Sequence, residues 1–404
     1  MGDEYYLQPP LKQKFYRNMA NVMSFFSVGN REDWGYDKMN KPQYISSLIT
    51  LIFAPFCGVS QVIYFYVNYS ELTFDVMGIM FSVFPATILA NVSIYSPKFK
   101  SYKRISRNFL QKIHLYNIYE ERKDEFVKNQ LIDVEKKTRW SCYYTIFFFT
   151  ISWFGWTFFP ALNNYKNREL VLNHTARLQT SLYLWMPFDY SYNYTYWMIL
   201  HSINFYSVLA GVSGTMMFQS VSYMLVYNVI GHIQVLKNSL KTDFKDGLSD
   251  HEVRSRLAKL VKYHIFINKV FRDTELAFGF NVAGNYLQNL FGNSIVLYQL
   301  MYGDKGNKMI YITMTMAYTG GPILMSFVLE EIRIQTHDLP DIVYSIPWEN
   351  MSVSNQKSVM LILQRTQILM DFKATGGMKA GVAPMISILK TTFSYYVMLK
   401  STIT

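Results

Sequence analysis

Two cysteines in 404 residues, Cys57 and Cys142, are too few for a disulfide scaffold. Twelve prolines and twenty glycines exclude a collagen-like repeat and a Pro/Gly-rich disordered chain. Charge is also scarce: Asp, Glu, Lys and Arg together make up 17% of the chain, against roughly 25% in soluble domains. In their place stand 50% hydrophobic and 17% aromatic residues, with 32 Tyr and 30 Phe. The mean hydropathy of +0.04 is neutral only because charged and charge-free stretches are averaged together. The composition leaves a membrane protein or an unusually apolar soluble one.

A bilayer core about 30 Å thick needs roughly 20 helical residues at 1.5 Å each. Six stretches of at least that length contain no Asp, Glu, Lys or Arg: Gln43–Ser70, Val76–Pro97, Trp140–Tyr165, Tyr190–Leu236, Leu276–Gly303 and Met309–Leu329. A seventh, Pro384–Thr402, is long enough but carries Lys390 and Lys400. Lipid does not tolerate Lys390 near a helix centre unless it meets water, a partner or protein interior, so this span is expected to face something polar.

The basic residues sort by side. The segments before the first span and after the second, fourth and sixth hold six, twelve, nine and five Lys or Arg, while the intervening ones hold none, three and two. Basic loops stay cytoplasmic, which predicts a cytoplasmic amino terminus and an extracellular carboxyl terminus. The net charge of +11 is thereby read as a topology signal, with no nucleic acid invoked. Glycosylation sequons at Asn68, Asn173 and Asn193 fall in segments assigned to the outside, whereas those at Asn91 and Asn350 do not. The first 40 residues are polar and mixed in charge, so no cleavable leader is expected. Cys57 and Cys142 lie within spans and read as packing residues.

The basic segments have helical stripes of their own: Tyr102, Ile105, Phe109, Ile113 and Tyr116; then Val253, Leu257, Leu260, Val261, His264 and Ile265; then Val359, Ile362, Thr366 and Leu369. Such helices suit either headgroup association or a cytoplasmic bundle that packs subunits together. In the last span, Ser387, Thr391, Ser394, Met398 and Thr402 share one narrow face, bordered by Lys390. A small, hydroxylated stripe fits a water-facing surface or close helix packing. Gly376, Gly377, Gly381 and Pro384 make a joint before it.

Catalytic signatures are missing. Ser255 stands where a metal-binding helix would place a second His after His251-Glu252, and Gly211-Val-Ser213-Gly214 lacks the nucleophile-elbow spacing. No phosphate loop or dinucleotide fingerprint occurs, and no enzyme activity, metal or cofactor is expected. Aromatic and Met residues instead crowd the predicted outer halves of the spans: Met77, Met80, Phe81 and Phe84; Ser152, Gly155, Trp156 and Phe159; Trp197, His201 and Phe205; Tyr311, Met314 and Tyr318. As a group they predict a pocket for a small apolar molecule, held by burial with a few hydroxyls fixing its pose; singly, each also fits ordinary packing.

Three motifs carry a family resemblance. The closing TFSYYVMLKS resembles the carboxyl-terminal signature of insect odorant receptors. The stretch SFVLEEIRIQTHDLPDIVYSIPWENM, with Tyr344 four residues before Trp348, resembles that family's acidic segment after the sixth span. Pro187-Phe188-Asp189 is similar to an element placed before its fourth span. Pro347 and Glu349 depart from the commoner pattern, and Ser401-Thr402 replaces the Gln of the related gustatory receptors. The long cytoplasmic insertion of the shared co-receptor is absent, so the chain resembles a ligand-tuning subunit.

The resemblance implies an all-α membrane protein of seven transmembrane helices, with cytoplasmic helical extensions forming an anchor bundle. Its divisions are a cytoplasmic amino-terminal segment (1–43), six transmembrane helices with an outer pocket and helical cytoplasmic loops at 98–140 and 229–275 (44–334), a cytoplasmic loop and helix (335–383), and a pore-lining helix (384–404). It implies an odorant-binding subunit that joins co-receptor subunits in a tetrameric, odorant-gated, non-selective cation channel of the sensory-neuron plasma membrane. Its partners are then a volatile ligand, the co-receptor, permeating cations and membrane lipid. By position in the closing motif, Met398 and Thr402 match the family's hydrophobic gate, on the stripe with Ser394 and Lys390. Ser152, Gly155 and Phe159 match the spacing of pocket residues on its third span. A G-protein-coupled receptor, which keeps its amino terminus outside, a gustatory receptor channel and a transporter are the alternatives.

Overall fold

The computed structural model describes residues 3–244 and 247–401. Regular structure among them is helical apart from one isolated antiparallel bridge between Lys373 and Lys379. Helix α1 (Lys14–Phe25) precedes α2 (Lys41–Asn68) and α3 (Phe74–Tyr95). Next come α4 (Lys100–Asn108), a π-turn over Phe109–Ile113, α5 (Tyr116–Arg122) and the long α6 (Glu125–Lys166). Short α7 (Arg168–Leu172) is followed by α8 (Tyr194–Thr242), α9 (Asp250–Tyr302) and α10 (Lys308–His337). The chain closes with α11 (Leu339–Tyr344), α12 (Val353–Thr366) and α13 (Val382–Ser401).

Local chemistry starts these helices where the sequence offers caps. Asn40 and Gln43 close a capping box on α2, and Ser249 and Glu252 close another on α9. Thr73, Asp124 and Asn193 accept backbone N–H bonds at the starts of α3, α6 and α8. Helices α2, α3, α6, α8 and α10 are long and apolar enough to cross a membrane. Helix α8 has 49 residues and α9 has 53. At 1.5 Å per residue each is roughly 75 Å long, more than twice the hydrocarbon thickness. Both run on past the bilayer, on the side carrying the basic segments.

Helix α9 does not reach the apolarity of those five, and the reason is a row of buried amides. Asn281 Nδ2 donates to Ser93 Oγ at 3.0 Å and Gln288 Nε2 to the Ser82 carbonyl at 2.7 Å, tying α9 to α3. Asn289 Nδ2 donates to the Tyr318 carbonyl of α10 at 2.8 Å, and Asn293 Nδ2 to Asn289 Oδ1 at 3.0 Å. Nearer the far end, Gln299 Nε2 reaches the Asp75 carbonyl at 2.9 Å. Helix α13 joins the same row, because Thr392 Oγ1 donates to the Asn289 carbonyl at 3.5 Å. Polar side chains in an apolar bundle hold helices together when every donor finds a carbonyl.

On the basic side, the extensions pack against one another rather than lying apart. Tyr102 of α4 stacks on Phe218 of α8 with ring centres 5.5 Å apart, and Phe278 of α9 packs against both. The expected single helix over 99–116 is divided instead: the π-turn and the bend at His114 separate α4 from α5, and Tyr116 is only partly buried. Leu369 likewise lies beyond the end of α12. Helix α1 is pinned by a fully buried carboxylate. Glu135 Oε1 accepts from Tyr16 Oη at 2.9 Å and lies 3.0 Å from His114 Nε2, while Oε2 accepts from Arg139 at 3.1 Å. Burial alone would raise the Glu135 carboxyl, but the His114 and Tyr16 bonds and the Arg139 charge outweigh it and hold it below the ordinary range.

His232, on the extension of α8, is the second buried group there. Its Nε2 lies 2.6 Å from the Ile113 carbonyl, which can only accept, so Nε2 carries the proton. Nδ1 then accepts from Tyr263 Oη at 2.7 Å. This neutral imidazole makes both bonds, and burial pushes its pKa down to about 4. The unfolded chain therefore takes up this proton first as pH falls. The stability that His232 contributes is complete above the ordinary value of 6.5 and is lost on descending towards about 4.

Thermal unfolding of the detergent-solubilised protein is expected to show a melting temperature that falls between pH 6.5 and 5, with His232→Gln flattening that slope; an unchanged slope would remove His232 as its source. Asn289→Ala, which strips the Tyr318 carbonyl of its side-chain donor, is expected to cost about 1–3 kcal/mol in the same assay at pH 7.

Candidate functional site

Between the helices, at mid-depth, lies a cavity of about 150 Å³. Its walls come from Thr50–Cys57 of α2, Val83–Ile94 of α3, Phe149–Trp156 of α6, Ser207–Thr215 of α8, Asn285 and Gln288 of α9, and Ala317 and Tyr318 of α10. A cavity of this volume takes a molecule about the size of benzene. The wall is mostly apolar, since small residues such as Ala86, Ala90, Ala210, Gly211 and Ala317 leave the space that bulkier neighbours enclose. Pro85 lies inside α3 at this level; having no N–H, it interrupts the helix ladder. The nearby Ser82 carbonyl accepts from both Gln288 Nε2 at 2.7 Å and Tyr318 Oη at 3.1 Å.

The roof of the cavity is a loop. Leu182, from the segment between α7 and α8, reaches the wall, and its neighbour Leu184 is completely buried. Side-chain bonds fix the segment in the bundle. Trp156 Nε1 donates to the Ser181 carbonyl at 2.9 Å, and Ser181 Oγ donates to the Trp156 carbonyl at 3.0 Å. Asn204 Nδ2 donates to the Leu182 carbonyl at 2.9 Å, and Ser60 Oγ to the Trp185 carbonyl at 2.8 Å. Above this plug lies a second, larger cavity of about 400 Å³. It is polar at its rim, with Glu71, Asp75, Arg177 and Asp304, and it shares Trp156 with the cavity below. The Arg177 guanidinium pairs with Glu71 at 2.6 Å.

The structure divides the pocket residues expected from the sequence. Ser152, Trp156 and Tyr318 line the mid-depth cavity. Met80, Tyr311 and Met314 are buried, with Phe159 packed beside them, in the apolar core between the cavity and the far ends of the helices. Gly155 is a contact point of α6 and α10, where a Cβ would come within 2.7 Å of Thr313 Cγ2. Phe81 and Phe205 are about half exposed on the outside of the bundle, at 50% and 44%. Met77, Phe84 and His201 are partly buried, and the His201 ring stacks on Trp197 with centres 4.7 Å apart. The cavity therefore sits deeper than the outer-half cluster, and eleven of the fourteen expected residues do not line it. Depth follows from position along a span, but which side of a helix faces the cavity depends on its neighbours.

Several lining residues had escaped the sequence reading: Thr50, Phe53, Asn91, Ser207, Asn285 and Gln288. A signal for two of them was present, since Asn281, Asn285, Gln288, Asn289 and Asn293 recur at helical spacing inside a charge-free span.

The last helix presents two unlike faces. Met385 and Thr392 are buried against α9 and α10, with Ile388 and Leu389 partly covered. Ser387, Lys390, Thr391, Ser394 and Met398 all lie on the opposite side and are exposed, Met398 by 52%. Thr402, the other expected gate residue, lies outside the described residues. Gly376, Gly377 and Gly381 take positive φ values of 82°, 76° and 151° at the joint before α13, a conformation that glycine adopts without steric cost. Of the three sequons assigned to the outside, Asn173 and Asn193 are exposed and Asn68 is partly buried. Asn91 lines the cavity, its Nδ2 spent on the Ala54 and Thr87 carbonyls.

Known proteins resemble the chain in fold and in sequence. The structure of the insect olfactory receptor OR5 from Machilis hrabei superposes with a TM-score of 0.73 over 96% of this chain and 97% of that one, at 15% identity. The same receptor in complex with eugenol gives 0.70 over 98% and 100%, at 12% identity. At these identities the likeness is one of fold. In sequence, odorant receptor 85c of Drosophila melanogaster is 23% identical over 226 residues, 55% of this chain and 57% of that protein. A second Drosophila melanogaster protein, provisionally named odorant receptor 85d, is 21% identical over 229 residues, 54% and 53% of the two chains. The matches thus span little more than half the length of these curated relatives. A family model for seven-transmembrane odorant receptors, a family of receptors rather than enzymes, matches residues 75–393. With most of its length inside that match and the fold of a solved insect receptor, the chain is a multi-pass membrane protein that belongs to the seven-transmembrane odorant receptor family.

Proposed function

We propose that this chain is the odorant-binding subunit of a heteromeric, odorant-gated, non-selective cation channel. The observation that carries the reading is the apolar mid-depth cavity, which is closed above by the Leu182 loop and sized for a small volatile. A solved relative of the same fold binds eugenol, a small volatile, which supports a ligand of this class here. Burial supplies the affinity, at about 25 cal/mol for each Å² of apolar surface removed from water. A ligand that fills the cavity better in the open arrangement than in the closed one shifts the population towards open by that difference.

In this reading the basic side is cytoplasmic, so Asn68, Asn173 and Asn193 face outward and are available for glycosylation. The extensions of α8 and α9, with α11 and α12, form the anchor against co-receptor subunits. Helix α13 lines the pore. Support comes from its exposed stripe of Ser387, Thr391, Ser394 and Met398, turned away from the rest of the chain, with Lys390 at the edge. Lipid would make that hydroxylated, cationic face costly, whereas an aqueous axis shared by several subunits would not. Met398 and Thr402 then form an apolar constriction, which conducts when helix movement lets water enter it.

Two outcomes are expected in cells co-expressing the co-receptor. Ala317→Phe, which fills the cavity, abolishes volatile-evoked current while surface expression is retained; an unchanged response places the ligand elsewhere. Met398→Ala raises leak current or changes relative cation permeability, and indifference of both measurements removes α13 from the pore.

A further inference from the structure

A cluster of cations around α4 takes no part in the cavity, the anchor or the pore. Between Asp75 and Glu120 the chain has no acidic residue, and all six of its Lys and Arg residues there fall between positions 98 and 112. Topology is set by the total charge of a loop, which says nothing of how that charge is arranged. On this side of the bundle several other cations are answered within the chain: Lys128 by Glu125, Lys136 by Asp3, Lys137 by Asp133, Lys237 by Asp338 and Lys379 by Asp371. The ammonium groups of Lys100 and Lys103 have no such partner among the described residues.

The arrangement is one-sided. Lys100, Lys103, Arg104 and Arg107 share one side of α4 at helical spacing, and all four are exposed. The opposite side is fixed in the bundle, since Tyr102, Ile105 and Ser106 are buried and Tyr102 stacks on Phe218. The cationic side is thereby held outward. Arg104 pairs with Asp273 of α9 at 2.5 Å and Arg107 with Asp33 at 2.7 Å, yet the two arginine side chains stay 52% and 60% exposed. The Arg104–Asp273 pair also gives the height of α4. The charge-free stretch of α9 begins at Leu276, about one turn beyond Asp273, and Leu276 and Phe280 are exposed, as lipid-facing side chains are. The charge-free stretch of α3 ends at Pro97, next to Lys98. Both helices place α4 where hydrocarbon gives way to headgroups. Phe99, exposed by 53%, adds an apolar contact among the cations.

We infer that α4 binds the headgroups of anionic phospholipids in the adjoining leaflet. Their phosphates meet Lys100 and Lys103, flanked by Lys98, Arg104 and Arg107, while Phe99 enters the acyl boundary. Several Lys and Arg placed immediately beyond a membrane-spanning helix attract such lipids, and the attraction fades within a Debye length, so it needs the close approach that the height of α4 provides. A zwitterionic headgroup brings no net charge and gains nothing comparable. The identity of the leaflet rests on the reading of the basic side as cytoplasmic, the side on which anionic lipid is found; the binding itself does not. Lipid held here fastens the basic-side end of α3, the helix that gives Val83, Leu89 and Ile94 to the cavity wall.

The test is native mass spectrometry of the full chain in detergent, titrated with short-chain phosphatidylinositol bisphosphate or with phosphatidylcholine of the same chain length. The anionic lipid is expected to bind about ten-fold more tightly, with an affinity that falls as salt is raised. The triple variant Lys98→Gln, Lys100→Gln and Lys103→Gln should weaken that binding about ten-fold, whereas Arg at the same three positions should keep it. A charge-matched control, Lys166→Gln, Lys305→Gln and Lys308→Gln, removes three exposed cations from the opposite end of the bundle and should leave binding unchanged. Equal affinity for the two lipids, undiminished binding in the first variant, or an equal loss in the control overturns the inference. Because the comparison of lipids needs no substitution, it decides even if a variant folds poorly. Detergent has no sides, so a negative result strikes the lipid site alone; the cavity and the pore stand or fall by Ala317→Phe and Met398→Ala.

Discussion

The amides of α9 are the constraint on which the rest of the bundle depends. A bilayer core offers no water, so each polar side chain must find its partner inside the protein. Asn281, Gln288, Asn289 and Gln299 find theirs on Ser93, Ser82, Tyr318 and Asp75. Those bonds draw α3 and α10 onto α9, and Thr392 brings α13 to the same row. A helix too polar to be recognised as a span by apolarity thus becomes the central one. The cavity is a by-product of the same bonds, since Gln288 and Tyr318 converge on one carbonyl at its wall.

The two ends of the bundle are closed by different physics. On the basic side, long extensions bury aromatic rings against one another and enclose charge, with Glu135 holding α1 through Tyr16, His114 and Arg139. A buried carboxylate is tolerated there only because several donors surround it. At the other end no extension exists, and a loop does the work. Its carbonyls at Ser181, Leu182 and Trp185 take side-chain donors from α6, α8 and α2, so a segment without regular structure can sit inside a helical bundle. Movement of that loop would be felt by the cavity, because Leu182 belongs to its wall and Trp156, bonded to Ser181, lines it.

Legibility differed by feature. Span positions were plain because hydrocarbon excludes charge, and six charge-free stretches coincide with α2, α3, α6, α8, α9 and α10. The reach of α8 and α9 beyond the bilayer was only half visible: the apolar stripe before the fifth span could be read, but not that it continues into the span without a break. Met80, Tyr311 and Met314 looked like pocket residues and lie buried in the apolar core beside the cavity rather than on its wall, since an apolar side chain at a given depth fits either place equally well. Gln288 was passed over for the opposite reason. An amide carries no charge and so does not interrupt a charge-free stretch, although its spacing from Asn281 and Asn285 was there to be read.

By itself the sequence determined the class, the number of spans and which segments share a side, because these follow from how often charge interrupts a chain and from a period of 3.6 residues. The hydroxylated stripe of α13 was determined in the same way, being a property of one helix alone. Only the tertiary structure decided which helix lies at the centre, where the cavity lies and which buried amide oxygens are left without a partner. Those depend on the azimuth of each helix relative to its neighbours, and a donor 2.7 Å from a carbonyl some 200 residues away in the chain is not encoded in any local pattern.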